Sequence, residues 1–293
     1  GALHDVAARV VLKILYLARM SRPDLLWAVN SLARMVTRWN TACDKRLHRL
    51  ISYIHFTQTY AQRAYLNDNA DQLNLVLFTD ADFAGSLTDS HSTSGAILCL
   101  MGPNSFVPLD WFCKKQSATS HSTPEAELIA LEAATRTIGV PAMMLWDSVI
   151  NVFHGSKTLP QPLQDSSAVA RGDSSNVFDV DFVPSTVHLP TLRSHLYIME
   201  DNEATIKMLV KGRSPTMAHV PRTHRVDLDW AFELFVQNPE NIHLRYVSTT
   251  SQIADMFTKG SFNAKSWSQL QTLSLIHISE PPRLLSIADA GFG

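Results

Sequence analysis

At Leu73 the hydrophobic period of the chain changes, and this change constrains the fold more than any other feature of the sequence. Before it, apolar residues recur at helical spacing in three runs. The first, "ARVVLKILYLARM", stops before "SRPD", where Ser21 is placed to cap, Pro23 suits a first turn and Asp24 completes a capping box. The second carries Leu25, Leu26, Val29, Leu32, Ala33 and Val36 on one stripe. The third sets Leu47, Leu50, Ile51 and Ile54 on one face, with Lys45, Arg46 and Arg49 off it. After Leu73, "LNLVLFTDAD", "TSGAILCLMG" and "VPLDWFCKKQ" are short strand-like runs separated by turn-rich pieces.

A long helix is expected next, with Thr123 as its cap and Pro124 in the first turn, reaching about Val149 and kinked at Pro141. Residues 155–192 are rich in Ser, Pro and Asp and hold no sustained period, the pattern of a mobile insertion. Order then resumes with strand "HLYIMED", helices "NEATIKMLVKG" and "VDLDWAFELFVQ", strand "IHLRYVST" and the short helix "SQIADMFTK". Strands followed by alternating helices and strands predict an α/β fold around a mixed sheet, with a small helical segment ahead of it. The expected units are 1–66, helical; 73–154 with 193–262, the α/β domain; and the 155–192 insertion.

The end of the chain differs. "LSLIHISEPPR", from Leu273 to Arg283, back-translates, with one base changed at Pro282, into the mosaic-end adapter of transposase-cut sequencing libraries. Residues 273–293 are therefore expected to be a non-native tail.

Composition excludes some classes. A net charge of -2 gives no whole-surface signature of nucleic-acid binding, which would have to come from local basic clusters. Cys43, Cys99 and Cys113 form no C-x-x-C pair, which predicts reduced thiols and neither a disulfide framework nor a zinc site. The run "VVLKILYLA" is broken by a lysine and too short to span a membrane, and no signal peptide is expected. A cytoplasmic or nuclear, non-secreted protein without a membrane partner is expected.

Acidic residues at the ends of predicted elements are the candidates for chemistry. Asp80 and Asp82 lie two residues apart at a strand end, so they share a face and repel unless something positive sits there. On the long helix Glu127 lines up with Leu131, Ala134, Ile138 and Leu145, while Glu125 and Glu132 fall on the opposite side and are expected to face water. A core-side carboxylate costs free energy unless it is paired or binds a metal. Asp201 ends the fourth strand with Glu200 as its rival, since alternation alone does not say which of them faces the sheet's helical side. Asp255 opens the last short helix, where an i,i+4 surface pair with Lys259 after a Ser251 cap explains it equally well. Carboxylates at adjacent element ends can hold two magnesium ions, which favour hard oxygen ligands.

Together "FTDADFAG", "STSG", "KKQSATSHSTPEAELIAL", "DNEATIKML", "RTHRVDLD" and "QIADMFTK" resemble the ribonuclease H region of copia-type retrotransposon polyproteins. "LYLARMSRPDLLWAVNSLARM" is similar to the segment that follows the polymerase palm in the same polyproteins. The resemblance covers about Gly1 to Phe262, apart from the insertion. It implies a ribonuclease H-like mixed sheet flanked by helices. It also implies magnesium-dependent hydrolysis of the RNA strand of an RNA–DNA hybrid, with Mn²⁺ as an alternative ion. The family's metal-binding carboxylates map onto Asp80, Glu127, Asp201 and Asp255, leaving Asp82 as a neighbour. Lys114, Lys115, Arg222 and Arg225 are candidates for phosphate contacts. Other segments of the retroelement polyprotein are the expected protein partners, and virus-like particles in the cytoplasm, or the nucleus, the expected place. There is no aromatic-x-Asp-Asp polymerase signature, and the loop between "YVST" and "QIAD" holds no histidine, so slow turnover is expected. The competing expectation is an inactive remnant that keeps the fold and binds nucleic acid without cutting it.

Overall fold

The computed structural model describes residues 1–85, 90–154, 192–211 and 228–274. Nearly all of the expected insertion and tail, and both Arg222 and Arg225, lie outside these residues.

The helical period ahead of Leu73 gives α1 (His4–Met20), α2 (Leu26–Ala33) and α3 (Thr41–Phe56). Asn40 starts α3, its side chain accepting from the Cys43 amide at 3.0 Å, which satisfies one of the helix's orphan donors. The inner stripes are those expected, except that Ile51 is exposed. The arc from Leu47 to Ile54 is wider than the surface α3 covers.

The junction between α1 and α2 is not a capping box. Ser21 closes α1, and Pro23–Leu25 form a 3₁₀ turn with no side-chain cap. Asp24 is instead bonded to Arg22 through both oxygens, Nε to Oδ1 at 2.9 Å and Nη2 to Oδ2 at 2.7 Å. Arg22 also donates to the Thr57 carbonyl, the Tyr53 hydroxyl donates to Asp24, and Gln271 donates to Tyr53. A guanidinium buried here needs a carboxylate more than a helix end needs a cap, because its unpaired burial would cost several kcal/mol.

The strand-like runs form β1 (Asn74–Asp82), β2 (Thr93–Gly102), β3 (Ser105–Lys115), β4 (Leu196–Glu200) and β5 (Ile242–Tyr246). They build one sheet of order β3-β2-β1-β4-β5. The first three strands pair antiparallel, while β4 joins β1 and β5 joins β4 in parallel. The chain is thus an α/β protein with a mixed, open five-stranded sheet flanked by helices.

Alternation sorts the sheet's two faces. Leu75, Leu77, Leu196 and Ile198 meet α4 (Thr123–Ala134) and α5 (Val140–His154), with α6 (Glu203–Lys211) and α7 (Leu228–Gln237) beside them. On the other face Val76, Phe78, Ile97 and Cys99 share one apolar cluster with α1, α2 and α3. That cluster also takes in α8 (Asp255–Thr258) and α9 (Ala264–Leu273). The helical segment and the sheet therefore have a common core.

Two features of the long helix differ from expectation. Its cap is Ser122, whose hydroxyl accepts from the Glu125 amide, and its bend is a π turn at Thr135–Gly139. Pro141 has no amide to donate and its ring crowds the carbonyl four residues back, and the wider turn just before it accommodates both. The extra residue rotates the remainder of the helix, which is why Leu145 is 68% exposed and leaves the buried stripe. Thr123–Phe153 is long and apolar enough to cross a membrane, but half of its most apolar window is buried inside the molecule.

Leu273 ends α9, and Ser274 is fully buried, its carbonyl accepting from Gln62 at 2.7 Å.

Candidate metal centre

Because β1 and β4 are parallel neighbours, their carboxyl ends coincide and the acids there meet. On β1, Val76 and Phe78 face α8, so by alternation Asp80 and Asp82 do too, while Thr79 and Ala81 face α4. Asp80 is 1% exposed and accepts a hydrogen bond from the Thr258 hydroxyl of α8. Gly95 stands opposite Asp80 in the register. A Cβ at Gly95 would lie 2.7 Å from both Phe257 and Thr258, so α8 can settle over Asp80 only because that position has no side chain. Gln252 fixes the approach by donating to the Thr79 carbonyl at 2.8 Å.

Glu127 reaches the cluster from the other face. Ala81 of β1 packs on Ala126 and Ala130 of α4, and these small residues let the helix start lie close to the strand end. Glu127 is 4% exposed, and its Oε2 is buried with no hydrogen-bond partner. On β4, Glu200 is fully buried and accepts from the Thr79 hydroxyl and the Asn202 amide, both at 3.2 Å.

The choice between Glu200 and Asp201 resolves as both. Asp80, Asp201 and Asp255 form one group whose oxygens lie within 4.8 Å of one another. Glu127, Glu200 and Asp201 form a second, within the same limit. Asp201 belongs to each. All four sequence-predicted carboxylates are thus brought together, Glu200 joins them, and Asp82 is outside both groups.

Crowded buried acids resist ionising. Burial, then Asp80, Glu200 and Asp201, push Glu127 up to about 11. Burial and Asp201 push Glu200 to about 8, and burial and Asp80 push Asp255 to about 7. Asp80 is also raised, chiefly by burial, with Lys259 opposing.

Lys259 supplies the positive charge. Its Nζ lies 2.5 Å from Asp255 Oδ1 and 3.6 Å from Asp80 Oδ1. Burial works against its charge, but Asp80 and Asp255 prevail and hold it above the usual lysine range. The i,i+4 pair expected of Asp255 is real, yet it is no surface pair, since Asp255 is 7% exposed. Ser251 does not cap α8 either; it ends a separate 3₁₀ turn.

The contrast drawn among the helix glutamates fails. Glu125 and Glu132 are as buried as Glu127, because α4 is enclosed on every side. Glu125 accepts from the His121 amide and Glu132 pairs with Arg136. What sets Glu127 apart is that its orphaned oxygen lies among other acids, whereas the buried oxygen of Glu132 stands against the Arg136 guanidinium, and no periodicity reveals this. Lys114 and Lys115 sit at the end of β3, two strands from Asp80 on the same rim of the sheet.

The donor set suits a hard divalent cation. It offers only carboxylates, in two overlapping groups, with a buried oxygen left unsatisfied among them.

No protein-family model matches the chain, and no solved structure does. Among curated proteins, it is 34% identical over 123 residues to the Secreted RxLR effector protein 161 of Plasmopara viticola, covering 42% of this chain and 82% of that protein. It is 32% identical over 118 residues to the Retrovirus-related Pol polyprotein from transposon RE1 of Arabidopsis thaliana, covering 40% of this chain and 8% of the polyprotein. The uncharacterized mitochondrial protein AtMg00810 of Arabidopsis thaliana is 30% identical over 131 residues, 44% of this chain and 52% of that protein. The chain belongs to one family with the Secreted RxLR effector protein 161, and it is related to retrotransposon Pol polyproteins, of which it spans only a small part.

Proposed function

We propose that the chain is a retroelement ribonuclease H, hydrolysing the RNA strand of RNA–DNA hybrids. The observation that carries this reading is the convergence of Asp80, Glu127, Asp201 and Asp255, with Glu200, from β1, α4, the end of β4 and α8 onto one edge of the sheet. The sheet order, with its antiparallel first three strands, is compatible with a ribonuclease H-like fold.

In this reading Asp80, Asp201 and Asp255 would hold one Mg²⁺, and Glu127, Glu200 and Asp201 a second. Bound there, the ions supply an activated water and charge stabilisation for the departing oxygen. The chain's own part is positioning. Thr258 and Gln252 fix Asp80 and its strand, and Thr79 and the Asn202 amide orient Glu200. Lys259 keeps Asp80 and Asp255 together when no other cation compensates them. Lys114 and Lys115, on the same rim, are placed to contact phosphates, and hybrid recognition by shape needs such backbone contacts.

The test is an end-labelled RNA–DNA hybrid incubated with the chain in Mg²⁺ and in chelator. Metal-dependent cutting confined to the RNA strand, lost in Asp80→Asn, is the expected result. Binding without cutting by folded protein would mean the inactive-remnant reading is correct.

A further inference from the structure

Lys259 also borders a cleft of about 520 Å³ between α2, α3 and the segment from Met256 to Trp267. The volume falls in the range of ligand-sized sites. Its walls combine flat aromatic rings with cations. Trp27, Phe262 and Trp267 line it, and so do Arg46 and Arg49 of α3. The Phe262 and Trp267 rings lie 5.4 Å apart, tilted at 34°. The acid in the lining, Asp24, is neutralised by its two bonds to Arg22, and Lys259 is paired with Asp80 and Asp255, so the cations left to an occupant are Arg46 and Arg49. Among the described residues, Arg46 and Arg49 have no ion-pair partner, and both are exposed.

The cleft and the carboxylates are mechanically joined. Trp27 packs against Gly260, where a Cβ would come within 2.0 Å of the indole. Gly260 directly follows Lys259, which holds Asp80 and Asp255. Lys259 itself lines the cleft, so an occupant there borders the side chain that pairs with Asp80 and Asp255.

We propose that this cleft binds a short single-stranded stretch of nucleic acid, continuous with the hybrid at the carboxylates. A base stacks among Trp27, Phe262 and Trp267, and the neighbouring phosphates meet Arg46 and Arg49. Every base offers a π face, and every nucleotide carries a phosphate within reach of that base. Rings and guanidinium groups in one groove match both. An acidic peptide would use the arginines and leave the rings without a partner. The proposal extends the nucleic-acid reading of the site, and it fails or stands separately from cleavage.

The experiment is a titration of the full chain, in chelator, with a twelve-nucleotide oligothymidylate, following tryptophan fluorescence. Trp27 and Trp267 are the reporters. Saturable quenching is expected, weakened at least tenfold in the Arg46→Glu, Arg49→Glu double variant and by abasic oligomers of equal length. Both arginines are exposed on α3, so the variant should fold, which its unchanged melting temperature would show. A flat titration would overturn the proposal, as it would if a protein segment were the true occupant. Equal binding by the double variant or by the abasic oligomer would overturn it too. Quenching by a protein that cuts no hybrid would leave the cleft standing and refute the nuclease. Cutting with a flat titration would do the reverse.

Discussion

The ammonium group of Lys259 lies 3.6 Å from the buried carboxylate of Asp80, and four residues back it also grips Asp255. A side chain of the protein thus stands within the carboxylate group assigned to a divalent ion. Its charge compensates Asp80 and Asp255, whereas among the described residues Glu127 Oε2 has no partner at all.

Lys259→Met should therefore act in opposite directions with and without metal. In chelator the variant leaves two acids uncompensated and should lose about 1–3 kcal/mol, less than a fully buried pair because Lys259 is about one-third exposed. With the competing charge gone, its melting temperature should rise more on adding Mg²⁺ than that of the parent chain. Thermal unfolding across a Mg²⁺ series measures both. A variant that gains nothing from Mg²⁺ would show that Lys259 positions the ligands and does not compete with the ion.

Metal-free stability should fall as pH rises. Glu200 is held at about 8 and Asp255 at about 7 in the folded chain, against ordinary values of 4.5 and 3.8. Between these limits the folded chain keeps protons that the unfolded chain has lost. The stabilisation is complete below the ordinary values and disappears as pH climbs to the folded ones. Melting in chelator from about pH 5 to about pH 8 should show a decline worth a few kcal/mol. Mg²⁺ should restore most of it at the alkaline end.

Glu127→Gln separates stability from metal binding. With Glu127 pushed up to about 11, its carboxyl is protonated at neutral pH, and an amide of the same shape replaces it at a cost within about 1 kcal/mol. The thermal gain from Mg²⁺ should nonetheless shrink sharply. An undiminished gain would remove Glu127 from the ligand set.

The Arg22–Asp24 pair should be a stability determinant for the whole molecule. Its side chains are 5% and 0% exposed. Asp24→Ala leaves a buried guanidinium uncompensated and should cost about 3–5 kcal/mol in urea unfolding. Because α1, α2 and α3 share an apolar cluster with the sheet, the loss should appear in one transition.

Most of the architecture was legible in the sequence because it follows from periodicity. The switch at Leu73 located the first three strands, and the runs "HLYIMED" and "IHLRYVST" the two that follow among the described residues; Glu127 joins the acid group, but the helix-face contrast that singled it out does not hold. What escaped were features set by tertiary partners. Asp24 looked like a cap until Arg22 claimed it, and Glu125 and Glu132 looked solvent-facing because nothing local says that α4 is enclosed. Glu200 could not be separated from Asp201, since the deciding fact is the Thr79 hydroxyl across the parallel β1–β4 pair. The glycine of "STSG" has its reason only in space, where it admits α8 over Asp80.

The central claim is that these carboxylates hold two divalent ions. Crystals of the chain grown with Mn²⁺, a close stand-in for Mg²⁺, would test it through anomalous scattering. Two peaks are predicted, one bordered by Asp80, Asp201 and Asp255 and the other by Glu127, Glu200 and Asp201, with Lys259 displaced from the first. Crystals in saturating Mn²⁺ with no peak among these residues, and Lys259 still on Asp80 and Asp255, would contradict it.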